Sequence, residues 1–199
     1  EPMLTDTWNQ PRPYNICAPM IGGKHCLVGC VALALSQVMR YWRWPVVGHG
    51  THTYVDSLGC GQTLTADFRH EYRWDLIRDV YRGAIDSSDV GLLEAGRLWR
   101  DCGVAVNMRY GLSASGAKSV RQAIALHTWF GYDGGMQFYY RDFFSRREWT
   151  DMLLAELSAG RPVLFAGHSL TLAHAIVCDG YDEDGYFHFN MGMGGVADG

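Results

Sequence analysis

Residues Cys30 to Trp44, CVALALSQVMRYWRW, are the stretch from which the fold can be worked out. The run is apolar on nearly every face, contains no glycine, and stops before Pro45, which disfavours helix in the residue ahead of it. This pattern predicts a buried helix that begins near Cys30. On its amino-terminal side, residues 1–25 hold Pro2, Pro11, Pro13, Pro19, Gly22 and Gly23 with no sustained periodicity, so this segment is expected to wrap the surface in extended form.

On the carboxyl side, residues 46–70 read as irregular, followed by three shorter helices at about 72–82, 88–102 and 118–130. Ser88 or Asp89 can cap the second, whose apolar positions Leu92, Leu93, Leu98 and Trp99 lead to a stop at Gly103. Ser119 and Gly131 bracket the third. A fourth helix starts at Ser145, where Ser145-Arg-Arg-Glu148 has capping-box spacing, and runs through Trp149, Leu153 and Leu157 to Gly160. The chain then changes character. Residues 161–167, 173–179 and 186–190 are short apolar runs separated by Gly, Asp and Ser, as expected of antiparallel strands joined by hairpins. A helix-rich first half followed by a strand-rich second half, with no internal repeat or low-complexity linker, predicts an α+β fold with the two halves facing each other.

The chain has 199 residues, 48% of them hydrophobic, enough for a substantial core in one domain or two small lobes. No window holds the roughly 20 consecutive apolar residues of a membrane span, and Glu1 to Gln10 lack the basic and apolar regions of a signal peptide. The sequence is therefore expected to be a mature or trimmed form. With a net charge of −4 and 17 scattered Lys and Arg residues, there is no basic stripe for a phosphate backbone, and nucleic acid is not an expected partner. The aromatic residues are spread along the whole chain, which suits core and cleft walls rather than a base-stacking platform.

Six cysteines, at 17, 26, 30, 60, 102 and 178, show no repeated spacing and no paired CxxC knuckles, so neither a disulfide scaffold nor a zinc finger is indicated. His25, Cys26 and Cys30 could supply three metal ligands, but no second cluster with metal spacing follows, and no metal is expected. A thiol becomes a useful nucleophile when a helix N-terminus and a nearby imidazole stabilise its thiolate. Cys30 sits where the predicted helix begins, and Gly29 before it permits close backbone approach. Taken alone, the same position also fits simple packing. A distant histidine would complete the pair, and His174, at the head of the apolar run HAIVCDGY, is placed on a rigid strand; its plainer alternative is a core histidine satisfied by a backbone carbonyl.

At this point the run GCVALALSQVMRYWRWP resembles the active-site helix of the streptopain and interpain group of papain-like bacterial cysteine peptidases, whose pattern reads approximately GCVATAxAQxMxYxxYP. The likeness extends almost end to end, through WNQPRPYN, YRWD, CGVAVNMRYG with SASGA, GRPVLFAG and AHAIVCDGYDEDGYFHFN. The resemblance implies a papain-like, two-lobed α+β fold in a single domain: a helical lobe over roughly 20–130 and a β-rich lobe over roughly 131–199 joined by the N-terminal segment, with the active-site cleft between them. It implies Cys30 as nucleophile, His174 as acid and base, Gln10 as a side-chain donor to the oxyanion hole, and Asn190 close to the group that orients the imidazole. Ser113, Ser115, Gly116, Ala173 and Met191 match segments that line substrate subsites, where backbone groups pair with an extended peptide.

There are two departures. Met191 and Met193 stand where the family has tryptophans, and Ala173 where it has glycine before the histidine. A flexible thioether shields an imidazole hydrogen bond less well than an indole. The chain stops at Gly199 where the family continues, so its carboxyl end is expected to be incomplete, and the family's N-terminal inhibitory propeptide is expected to lie outside this stretch. The glycine-rich end, GMGG, lacks the following Lys and Ser or Thr of a phosphate loop. The function implied is cysteine endopeptidase activity on extended polypeptide through a thioester on Cys30, with no metal or organic cofactor. Secretion as a bacterial zymogen, and a preference for a hydrophobic side chain one residue before the cleaved one, are also implied. The rival classes are a catalytically weakened peptide-binding homologue and a Cys-His acyltransferase.

Overall fold

The computed structural model describes residues 1–83, 85–168 and 173–199. Its elements follow in the order β1 (Met20–Ile21), β2 (Lys24–His25), α1 (Cys30–Trp42), β3 (Thr51–Val55), β4 (Thr63–Asp67), α2 (Val90–Ala105), α3 (Arg121–Phe130), α4 (Arg146–Ser158), β5 (Val163–His168), β6 (Ala173–Tyr181) and β7 (Phe187–Asn190). The fold is α+β. Helix α1 is its axle: every side chain from Val31 to Met39 is buried. It ends two residues short of Trp44, because Arg43 takes a left-handed conformation (φ 47°) and the N–H groups of Arg43 and Trp44 turn back to the Arg40 and Met39 carbonyls.

Helices α2 and α3 pack on one side of α1, and the antiparallel sheet β5-β6-β7 packs on another. Alternation along the strands decides what each sheet face meets. Leu164, Ala175 and Val177 join the core cluster with α1, while Phe165, facing the other way, packs edge-on against Trp149 of α4 at 6.0 Å. The capping box at Ser145 forms in full: the Ser145 hydroxyl accepts from the Glu148 N–H and the Glu148 carboxylate accepts from the Ser145 N–H. Among the described residues no helix is long and apolar enough to cross a membrane.

Four expectations are corrected. Residues 46–70 are not irregular throughout; they hold the hairpin β3–β4, with Thr51 opposite Asp67 and Val55 opposite Thr63. Residues 72–82 form turns instead of a helix. The backbone carbonyls that a helix would consume are taken elsewhere: the Arg78 carbonyl accepts the Trp8 indole N–H (2.9 Å) and the Asp79 carbonyl accepts the Thr7 N–H (2.9 Å). Helix α2 starts at Val90, capped by the Asp89 carboxylate on the Leu92 N–H, and runs through Gly103 to Ala105. Gly103 is not a stop; a Cβ there would lie 2.0 Å from the Tyr110 hydroxyl, so the residue is small because a side chain crosses it.

The fourth correction concerns the N-terminal segment, which threads into the core. Trp8 is 0% exposed and meets Trp99 edge-on at 5.2 Å, with Tyr14 and Tyr81 completing the aromatic cluster. The Met3 and Leu4 N–H groups bond the Asp179 carbonyl and carboxylate, both at 2.8 Å, so the first residues of the chain lie along β6.

Beyond the end of the β3–β4 hairpin, the His70 imidazole meets the buried Asp101 carboxylate at 2.8 Å, and the Tyr72 hydroxyl donates to the same oxygen at 3.0 Å. The hydrogen bond to Asp101 holds the His70 pKa above its ordinary value against partial desolvation. A raised folded-state value means that the ion pair contributes stability fully below the ordinary histidine range, about pH 6.5, and loses it as pH rises through the raised value. Urea unfolding should therefore show His70→Gln costing up to about 1 kcal/mol near pH 6 and less near pH 9. A cost independent of pH would show that the imidazole acts as packing alone.

Candidate active site

Gly29 sets the entry to α1. It has φ 89°, and a Cβ built on it would fall 2.6 Å from the Met108 thioether and 3.2 Å from the Ser115 Cβ, so only glycine brings the chain into the helix here. No side chain caps α1. That leaves first-turn N–H groups near Cys30, whose thiolate is favoured by the backbone at Val31 and Ala175 and by the His174 imidazole.

Burial alone would push the Cys30 thiol up, but the His174 hydrogen bond, the Ala175 amide, the imidazole charge and the Val31 amide together outweigh it and place its pKa below the ordinary value. The hydrogen bond to Cys30 raises the His174 pKa, burial opposes this, and the Met191 carbonyl adds to the rise. Both shifts favour a thiolate–imidazolium pair. The other five thiols behave in the opposite way. Cys17, Cys26 and Cys60 are raised chiefly by burial, Cys102 is raised well above the ordinary range, and Cys178 is pushed up to about 12.

His174, second in β6, lies 2.8 Å through Nε2 from the Met191 carbonyl oxygen. A carbonyl can only accept, so Nε2 carries the proton and Nδ1 is left for the sulfur. The group that orients the ring is thus a backbone carbonyl. The Asn190 side chain, 3% exposed, does not reach the ring. Its Oδ1 accepts from the Gln37 amide (2.8 Å) and the Gly192 N–H (3.0 Å), and its Nδ2 donates to the Asp6 carbonyl (2.8 Å). The Met191 N–H is held by the Asp198 carboxylate at 2.8 Å.

Gln10 is tied in from the N-terminal segment, its carbonyl accepting the N–H of Val28, two residues before Cys30, at 3.1 Å. The glycine-rich tail packs on this segment: the Gly194 N–H donates to the Trp8 carbonyl at 2.9 Å, and a Cβ on Gly192 would lie 2.8 Å from Leu33.

The expected peptide-lining set is placed unevenly. Gly116 is exposed, and its N–H and C=O are both engaged by the Arg109 backbone (3.1 and 2.9 Å), so it could line a cleft but not pair with a peptide through these groups. The Ser115 hydroxyl is turned inward, accepting from the Gly111 N–H and donating to the Leu27 carbonyl. Ser113 and Ala173 are exposed, the latter at the head of β6, and Met191 is partly buried.

Gln37, Asp6 and Asp198 were not singled out in the sequence. Gln37 had a signal, a polar residue seven positions after Cys30, which places it two turns along on the same face of a largely apolar helix.

A model of the Peptidase C10 family matches residues 8–199. The chain belongs to the Peptidase C10 family. It is 34% identical over 194 residues to the thiol protease/hemagglutinin PrtT of Porphyromonas gingivalis, covering 96% of this chain and 22% of that protein. Streptopain of Streptococcus pyogenes is likewise 34% identical over 208 residues, at 96% of this chain and 52% of the relative. The chain thus spans about half or less of the length of these relatives. Among solved structures, the active wild-type interpain A cysteine protease of Prevotella intermedia superposes with a TM-score of 0.90 at 32% identity, over 100% of this chain and 84% of that one. A prointerpain A fragment from the same organism gives the same score and identity, with 63% of its length covered. These C10 relatives are thiol proteases by name.

Proposed function

We propose that this domain is a cysteine endopeptidase in which Cys30 attacks and His174 moves the proton. The observation that carries the reading is the contrast among six thiols: only Cys30 has a pKa below the ordinary value, and the imidazole that lowers it is itself raised. The Cys30 thiolate adds to the scissile carbonyl carbon, and charge gathers on the carbonyl oxygen. The Cys30 N–H and the Gln10 side-chain amide serve as its donors. As the C–N bond breaks, the imidazolium gives its Nδ1 proton to the leaving amine, leaving a thioester. Neutral His174 then takes a proton from water, whose oxygen displaces the sulfur.

The site lies between the helical part, roughly 20–130, and the sheet with its N-terminal strap, which supports a two-lobed cleft. An extended polypeptide would pair with backbone at the cleft's edge. Arg109 and Gly116 already satisfy each other, so the pairing would fall to the neighbouring residues around Ser113, which is exposed, and to Ala173, exposed at the head of β6. A hydrophobic side chain one residue before the cleaved one, secretion from a bacterium and restraint by an N-terminal propeptide belong to the same proposal, supported by the likeness to interpain A and prointerpain A.

The test is release of new amino termini from casein, run beside stoichiometric iodoacetamide labelling at Cys30. Labelling with transfer of the acyl group to an added amine but no hydrolysis would make the protein an acyltransferase. Neither labelling nor cleavage would leave it a peptide binder. If the oxyanion role is right, Gln10→Ala should lower kcat by about 10- to 1000-fold with little change in KM. An effect confined to KM would move Gln10 to substrate binding.

A further inference from the structure

The imidazole depends on a backbone carbonyl, and a carbonyl holds its place only if the peptide that carries it is held. One side chain bonds that peptide directly, and two residues hold that side chain. Asn190 sits just ahead of Met191, and its Oδ1 takes the Gly192 N–H from the residue just after it, so one amide oxygen closes the turn whose middle carbonyl faces His174. Asn190 in turn is held by Gln37 and Asp6. The Gln37 amide nitrogen donates both to Asn190 Oδ1 at 2.8 Å and to the Asp6 carboxyl at 2.7 Å, using its two protons in two directions.

Gln37 is 1% exposed, and its Oε1 has no hydrogen-bond partner among the described residues. An amide that leaves its oxygen unsatisfied in the core is costly, by an amount comparable to the loss of a buried hydrogen bond. An apolar side chain of the same volume would avoid that cost at this position of an otherwise apolar helix face. The amide is therefore explained by what its nitrogen holds.

We propose that Gln37 is a positioning residue for the reacting pair: its amide clamps Asn190 against Asp6 and so fixes the Met191 carbonyl that receives the His174 Nε2 proton. This rests on Cys30 and His174 as the reacting pair. The consequence is geometric. Cys30 and Gln37 stand on one helix, seven residues or about 10 Å apart, so the segment that carries the nucleophile also carries the support for its partner's acceptor. Asp6 shares in the clamp. Desolvation pushes its carboxyl up to about 7, against the Gln37 and Trp8 hydrogen bonds that favour its charged form.

The test is Gln37→Met, which keeps length and volume and removes both donated bonds. Two quantities are read: kcat and KM on a peptide substrate, and the pH profile of the second-order rate of Cys30 alkylation by iodoacetamide. A loosened carbonyl stabilises the imidazolium less, so the acid limb of the alkylation profile should move to higher pH. The kcat value should fall about 10-fold with KM unchanged. Gln37 lies two turns from Cys30 and its replacement by a side chain of the same volume leaves the burial of that thiol in place, so an altered profile in a protein that unfolds at the wild-type temperature supports the positioning role. Superimposable profiles in a folded Gln37→Met protein overturn it. If that variant does not fold, Asn190→Asp decides on the same readout. It keeps Oδ1 for Gly192 but replaces the N–H donated to Asp6 with an oxygen that repels the Asp6 carbonyl. A shifted profile supports the clamp, and an unshifted one overturns it. A wild-type protein whose Cys30 shows no reactivity near neutral pH would instead sink the peptidase reading itself, which keeps the two failures apart.

Discussion

Cys30→Ala is expected to abolish casein cleavage, lowering turnover by about 10,000-fold or more, while the protein keeps its fold. In the proposed mechanism the Cys30 sulfur is the attacking atom, and no other thiol is activated to replace it. The other thiols are held protonated: Cys26 is buried near the Asp56 charge, and Cys102 is buried next to Asp101 and raised further still. Structural loss should be small, because the helix entry is set by the Gly29 backbone and by the buried run from Val31 onward, and alanine removes one sulfur from a site that is only partly buried. The measurements are release of amino termini and the thermal midpoint, which should shift by no more than a few degrees. If Cys26→Ala silenced the protein while Cys30→Ala left it active, the nucleophile would be misassigned.

His174→Ala should be nearly as damaging, by about 1,000-fold or more in turnover, and it carries a second signature. Burial pushes the Cys30 thiol up, and His174 supplies the largest opposing influence. Removing the imidazole leaves the burial and takes away the largest part of the compensation, with the Ala175 and Val31 amides remaining, so the alkylation midpoint of Cys30 should rise. A midpoint that stayed low would mean that the helix N-terminus and the Ala175 amide stabilise the thiolate without the histidine. The base would then have to be sought elsewhere.

Much of this was legible because the decisive signals are local. The glycine-cysteine entry, the apolar run that follows and the Ser145 capping box are each written within a few consecutive residues, and each folds as its own stretch dictates. The failures are tertiary. Residues 72–82 have helical spacing of their apolar side chains, but the carbonyls of Arg78 and Asp79 are drawn to Trp8 and Thr7, some 70 residues away in the chain. Gly103 has the look of a helix stop until Tyr110 is seen lying across it. The β3–β4 hairpin does carry a local signal, since THTYV and TLTAD alternate and flank Gly59 and Gly61, but it is weaker than the irregular composition around it. The orienting group could not be read at all. Asn190 was in view, but the choice between its side chain and the next carbonyl is made by Gln37 and Asp6, neither of which has any sequence mark that points to His174.

The bonds that hold Asn190 also fix when the site can come into existence. Asp6 and Asn190 are 184 residues apart, Gln37 and Asn190 153, and Leu4 and Asp179 175. Contacts of such separation form late, because the entropy of closing the loop is lost before the contact gives anything back. On a ribosome the order is stricter still. Within this domain the segment bearing Cys30 is made before the sheet and can become helical, yet the carbonyl that holds the imidazole upright cannot be set until residues 190–192 have been made and have met residues 4–6. The nascent domain therefore carries the proposed nucleophile through most of its own synthesis without the support for its partner. Competence arrives with the closing of the two ends of this domain upon each other.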